Sequence, residues 1–250
     1  PREYSSAASD VYKRQYIPYA KESLDFYLMK KPDFYASKDT SLRMAARAYS
    51  AAKKIDQESS LNHLLGVSIT ASLSTTYEKR GDHKFHIALQ TRDFSKSISC
   101  KLEKGTRTRE EEEELVTAFV VNLLAECSQL KYDYPKIPEE VVFDEVKAEK
   151  GWAELMSNKI NYVLSEDASP ELIFPGAFYP YHDGHKAMKD LAEQETGKKI
   201  FFEICIQNVD KPPISYHQIK KTVMQFNDSE NWVLTKAWLL YTSPSPRDPM

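Results

Sequence analysis

The sequence predicts an α/β protein built in two unequal parts, and three observations carry that expectation. A short apolar run at residues 171–174 stops at Gly176, passes through a proline turn and enters a helical pattern. Residues 199–209 (KIFFEICIQNV) then alternate and run apolar, so strand, helix and strand follow one another in βαβ order. Ahead of residue 130, two long amphipathic helical patterns bracket three strand-like runs.

The elements follow in chain order. Residues 40–55 predict a helix, with Leu42, Ala45, Tyr49 and Ala52 along one stripe. Residues 63–72 read as a buried strand breaking into a small-residue loop. Two more strands are expected at 84–91 and 95–102, the latter ended by Gly105. Residues 108–127 predict a second long helix. Thr108 and Glu111 have capping-box spacing, and the acidic run from Glu110 to Glu114 sits where the helix dipole favours negative charge. That run is expected to be a solvated first turn and not a metal site.

Pro135 and Pro138 break any helix in the next stretch, and residues 146–159 predict a linking helix around Trp152 and Leu155. The expected domain boundary falls here, with one unit over 16–130, a linker over 131–169 and a second unit over 170–238. The second unit opens on a buried strand at 171–174. Its helix over 186–196 carries Ala187, Met188, Leu191 and Ala192 on one face and stops at Gly197. The strand at 199–209 follows, then a helix within 214–226, then a strand starting at 232–235.

Composition bounds the rest. A hydrophobic share of 41% and a charged share of 28% fit an ordinary globular chain. A net charge of -3 with no basic stripe argues against a nucleic-acid partner. No apolar run reaches membrane-spanning length. Cys100, Cys127 and Cys205 have no motif spacing, which predicts reduced thiols and a cytoplasmic setting. Residues 5–15 are the in-frame translation of a transposon sequencing-library adapter, and residues 239–248 that of its partner. Residues 1–15 and 239–250 are therefore expected to be foreign to the natural chain. The remainder is expected to be an internal piece of a longer protein, inactive by itself.

The chemistry concentrates at residues 172–185. Gly176 lacks a Cβ, so a phosphate could approach the backbone there. Pro180 stiffens the turn. The first turn of the following helix offers unpaired N–H groups and the positive end of a dipole. His182 and His185 are three apart, so a helix beginning near Asp183 leans both rings toward one anion. Zinc is a rival ligand for the two imidazoles, but no Cys pair or Glu joins them nearby. Asp210 and Lys211 close the next strand, where such sheets bind ligands, and could hold phosphate or substrate.

The pattern Gly176-x-Phe178-x-Pro180-x-His182-x-Gly184-His185 resembles the HxGH signature of the nucleotidyltransferase superfamily. The resemblance implies a Rossmann-like parallel sheet, here incomplete, with the signature after its first strand. It implies that His182 and His185 contact the triphosphate, that Gly176, Ala177, Phe178, Pro180 and Gly184 shape the nucleotide loop, and that Mg²⁺ accompanies ATP or CTP. A second Ser/Thr-rich signature would lie beyond residue 238. Residues 66–81 (GVSITASLSTTYEKRG), with Tyr16-Ile-Pro-Tyr-Ala-Lys21, resemble the C-terminal domain of the competence-damage-inducible CinA family, an α/β/α domain. That resemblance implies a base role for Lys21 and a mononucleotide pocket lined by Ser72, Ser74, Thr75 and Thr76. The family's glycine-rich loop is replaced by Ala71-Ser72-Leu73-Ser74, and its nucleophile loop would precede Tyr16, so amidase activity is not expected.

Together the two resemblances imply adenylyl transfer from ATP to nicotinamide or nicotinate mononucleotide. Alternatives are cytidylyl transfer to an alcohol or sugar phosphate, and a non-catalytic nucleotide-binding or regulatory protein. The expected partners are a nucleoside triphosphate and a small phosphorylated substrate, with no nucleic acid and no membrane. A homo-oligomer is compatible with the sequence.

Overall fold

A computed structural model describes residues 15–55, 60–77, 80–166, 170–176, 178–207, 213–226 and 230–236. The fold is mixed α/β, with two four-stranded sheets. In the first, β1 (Gly66–Ser72), β2 (His83–Gln90), β3 (Phe94–Leu102) and β4 (Val141–Lys147) lie in that order, every neighbour antiparallel.

The alternation along β2 fixes which helix covers which face. Phe85, Ile87 and Leu89 point to one side and meet Val116, Phe119 and Leu123 of α3 (Arg109–Cys127). The rings of Phe85 and Phe119 lie 5.3 Å apart. Each such buried side chain contributes about 1.5–3 kcal/mol relative to exposure. Ala88 points to the opposite side and meets Leu42 and Ala45 of α2 (Lys38–Ile55). Small and hydroxyl residues dominate that side, and Ser41 of α2 bonds directly to Ser68 of β1. The preceding helix, α1 (Lys21–Leu28), rests on α2 through Leu24, Leu28 and Met44.

The stretch expected as a linker carries β4 and then α4 (Lys150–Met156), the helix being shorter and later than its pattern suggested. Asp144 and Glu145 in the middle of β4 hid the strand. Charges at an edge guard against pairing with other chains, and β4 is an edge of its sheet.

The second sheet has the order β5-β8-β7-β6. Its strands are β5 (Tyr162–Leu164), β6 (Leu172–Gly176), β7 (Ile200–Gln207) and β8 (Asn231–Lys236). The last three run parallel, and β5 pairs antiparallel with β8. The connections are α5 (Asp183–Thr196) from β6 to β7 and α6 (Tyr216–Val223) from β7 to β8. Central β7 is the most buried strand, with Phe201, Phe202, Ile204 and Ile206 inside. Its core joins Trp152, Leu155 and Met156 of α4, Tyr216 and Ile219 of α6, and also Tyr49 of α2. The Tyr216 hydroxyl donates to the Arg92 carbonyl between β2 and β3. Tyr49 of α2 and Val146 of β4 therefore tie the core of the second sheet to the first unit, whose own core under α3 is separate.

Two expectations need correction. β6 is an edge strand and not a buried one, with only Leu172 and Phe174 half-buried. The apolar face of α5 points outward: Met188 is 58% and Leu191 59% exposed. The inward stripe is instead His185, Lys189, Ala192 and Glu193. Buried Lys189 pairs with Glu193 at 3.4 Å, and Glu193 accepts the Ile200 N–H at 2.8 Å. Pairing and hydrogen bonding offset the cost of turning charge inward. Among the described residues no helix is long and apolar enough to cross a membrane.

Candidate phosphate-binding loop

The parallel strands β6, β7 and β8 end on one edge of their sheet, and the histidine loop leaves that edge after Gly176. Phe178 has φ 47°, the left-handed region. For a residue with a Cβ this conformation costs about 1–2 kcal/mol. Ring burial holds it there. Phe178 is 2% exposed and packs on Phe174, Phe202, Phe226 and His185, with ring centroids 4.9–6.1 Å away.

Gly176 is required by that ring. A Cβ at position 176 would lie 2.7 Å from Cε1 and 2.8 Å from Cε2 of Phe178. The space expected to admit a phosphate is filled by a side chain of the loop itself. Gly184 has a similar task one turn later, where a Cβ would sit 3.1 Å from the His182 ring.

Gln225, which follows α6, staples the loop. Its Nε2 donates to the Phe178 carbonyl at 3.1 Å, and its Oε1 accepts the Tyr181 N–H at 3.0 Å. The Tyr181 hydroxyl donates to the Glu230 carboxylate. Burial, and then that carboxylate, holds the Tyr181 phenol well above its ordinary range.

The histidines come together as their spacing predicts, on a helix that starts at Asp183. Their ring centroids are 3.8 Å apart with planes 21° from parallel, and Tyr181 stacks on the other side of His185 at 5.8 Å. The His182 N–H points to His185 Nδ1 at 3.4 Å, a long bond that casts Nδ1 as acceptor. The His185 proton then sits on Nε2, free to donate. Burial, and then the neighbouring His182, lowers the pKa of His185. Two stacked imidazoles resist double protonation, and an anion between their N–H groups relieves that resistance. No side chain among the described residues accepts the N–H of Asp183 or Gly184. The first turn of α5 therefore adds its own anion-seeking donors.

Other expected site residues fall elsewhere. Ala177, Asp210 and Lys211 lie outside the described residues. Pro180 follows Tyr179 through a cis peptide bond. Lys21 is exposed, not buried, and its ammonium stands 5.6 Å over the Tyr35 ring. Ser72 and Thr75 turn their hydroxyls to the Asp82 and Tyr77 carbonyls. The N–H of Ser74 goes to Glu112, and its carbonyl accepts from Arg109. Among the described residues no hydrogen bond joins Lys21 to Ser72, Ser74 or Thr75.

The acidic start of α3 is not wholly solvated. Glu112 is fully buried and pairs with His83 at 2.8 Å, tying the 73–77 loop to the helix. His83 lies 29 positions away, so local spacing could not reveal the pair. A Ser/His/Asp group also went unseen. Ser95 Oγ lies 2.7 Å from His217 Nδ1, and His217 Nε2 lies 3.3 Å from Asp144, which also meets Lys38. Its order is wrong for a nucleophile. Ser95 is fully buried while the carboxylate is 41% exposed, so the group fastens α6 to the first sheet. Tyr181 and Gln225 were invisible as partners because their bonds span the two ends of the second unit.

No three His, Cys, Asp or Glu side chains converge to hold a metal among the described residues. Magnesium prefers oxygen ligands and keeps company with substrate phosphates. It fits here only as part of a bound nucleotide, with exposed Asp183 the carboxylate beside the histidines. No protein-family model, curated protein or solved structure matches this chain.

Proposed function

We propose that the chain carries the phosphate-binding half of a nucleotidyltransferase with a Rossmann-like sheet, acting by adenylyl transfer from ATP to nicotinamide or nicotinate mononucleotide. The observation that carries the reading is the stacked His182–His185 pair on the first turn of a 14-residue helix, directly after a parallel strand. An oxygen of the acceptor phosphate attacks the α-phosphorus of ATP. The α–β phosphoanhydride bond breaks, and pyrophosphate leaves with the electron pair. Negative charge grows on the leaving oxygens, where the imidazole N–H groups and the Asp183 and Gly184 amides stand as preorganised donors. Magnesium, when bound with ATP, neutralises part of the same charge. The packed ring of Phe178 and the Gln225 staple hold the donors in place before substrate arrives.

The mononucleotide acceptor rests on the paired sequence resemblances. The test is pyrophosphate release by the complete reading frame, supplied with ATP and each mononucleotide. His182→Ala or His185→Ala is expected to lower turnover by about 10²–10³. Turnover with CTP and an alcohol phosphate, and none with ATP, would replace the adenylyl reading by the cytidylyl one.

A further inference from the structure

A second cluster of charge stands at the same edge of the second sheet, and nothing in the histidine loop uses it. Lys236 ends β8, and Lys53 comes from the last turn of α2. Both ammonium groups donate to one acceptor, the Met156 carbonyl at the end of α4. Lys236 also donates to the Asn158 side chain. Among the described residues neither lysine forms an ion pair with a carboxylate. Both are partly exposed, so solvent reaches them.

The carbonyl has two lone pairs and accepts from both ammonium groups, but capping α4 does not call for two like charges with no carboxylate among the described residues paired to either. The second ammonium brings a like charge beside the first, in partly buried surroundings. Burial lowers Lys53, and burial followed by the Lys53 charge pulls Lys236 down to about 7. Two ammonium groups that meet on one carbonyl, with no carboxylate paired to either among the described residues, are complementary to an anion that bridges them.

Position names the anion's neighbourhood. Lys236 follows Leu234 on the face of the sheet that also carries Phe202 and Phe174, against which the histidine loop packs. One strand, β7, separates β8 from β6, so the ends of those two strands stand about 10 Å apart along the edge. We propose that Lys53 and Lys236 form a phosphate-monoester site at the carboxyl edge of the second sheet, distinct from the histidine loop. That the monoester is the phosphate of the acceptor mononucleotide rests on the nucleotidyl-transfer reading. The site itself does not.

The test is competitive acylation. The 250-residue protein is treated with limiting acetic anhydride, and acetylated lysines are read by peptide mass spectrometry, with and without inorganic phosphate. Phosphate at about ten times its dissociation constant is expected to slow acetylation of Lys53 and Lys236 about tenfold, since about one site in eleven is then free. Exposed Lys21 is expected to react at an unchanged rate. Lys53→Gln is expected to remove the protection of Lys236, with the fold checked by circular dichroism. Unchanged rates in the wild type, or full protection of Lys236 in folded Lys53→Gln, would overturn the site. Nicotinamide mononucleotide is the separating arm. Protection by phosphate but not by the mononucleotide upholds the site and refutes that acceptor. Protection by both, with no response of the histidines to ATP, upholds the site and refutes nucleotidyl transfer.

Discussion

Substituting Gly176 by alanine isolates the reason for that glycine. The backbone at 176 belongs to β6 and needs no left-handed φ, so alanine fits the chain itself. Its Cβ collides with three carbons of the Phe178 ring, two of them at 2.7 and 2.8 Å. The ring cannot yield freely, because Phe174, Phe202, Phe226 and His185 surround it. Overpacking of this kind costs about 1–3 kcal/mol. Full expulsion of the ring would approach the Phe→Ala cost of about 3–5 kcal/mol. With a urea slope near 2 kcal/mol/M, a loss of 2 kcal/mol moves the unfolding midpoint by about 1 M. Phe178→Ala alone is expected to be destabilising. Adding Gly176→Ala to it is expected to be neutral, or stabilising by about 0.5–1 kcal/mol through the stiffer unfolded chain. The double-mutant cycle then shows a coupling of about 1–4 kcal/mol. The reasoning fails if Gly176→Ala has the wild-type midpoint, or costs the same with and without the Phe178 ring. All these measurements are made without nucleotide, which separates the packing role from a phosphate-approach role.

Further outcomes follow from single contacts. Gln225→Ala leaves the Phe178 carbonyl and Tyr181 N–H without their partner, and is expected to cost about 1–3 kcal/mol; hydrogen exchange at the Tyr181 amide should quicken, and unchanged exchange would contradict the staple. His86 is held down to about 4 by burial first, then by Lys84 and Lys38. Its folded value is depressed below the ordinary 6.5, so its contribution is complete above pH 6.5 and is lost as pH falls toward 4. Full linkage would be about 3 kcal/mol, and solvent screening of this half-shielded ring reduces that to about 1–2 kcal/mol. Urea midpoints at pH 7 and pH 4.5 read the loss, His86→Gln is expected to shrink it, and an equal loss in that variant would contradict the assignment.

Local chemistry was legible in the sequence, and long-range pairing was not. The capping box of α3 forms as its spacing predicts: Thr108 Oγ accepts from Glu111 N–H at 3.2 Å, and the Glu111 carboxylate accepts from Thr108 N–H at 2.7 Å. The start of α5 at Asp183 and the stacking of the two imidazoles were equally local. β4 was hidden by acidic residues that suit an edge. The inward face of α5 was hidden because Lys189 and Glu193 neutralise each other there, leaving the more apolar face outside. Gly176 announced a close approach, but only the fold reveals that the approaching group is Phe178. The buried His83–Glu112 pair, the Ser95–His217–Asp144 group and the Lys53–Lys236 pair each join residues far apart in the chain. No window of sequence contains both partners.

Imidazole NMR reads directly whether the stacked histidines hold an anion. Without ligand, His185 is expected to titrate below the ordinary histidine value. Saturating Mg-ATP is expected to shift the His182 and His185 ring signals and to raise the His185 midpoint, since a bound phosphate favours the protonated ring. His83, buried against Glu112 on the first sheet, is expected to stay unmoved. Unshifted His182 and His185 signals at saturating Mg-ATP would contradict the account.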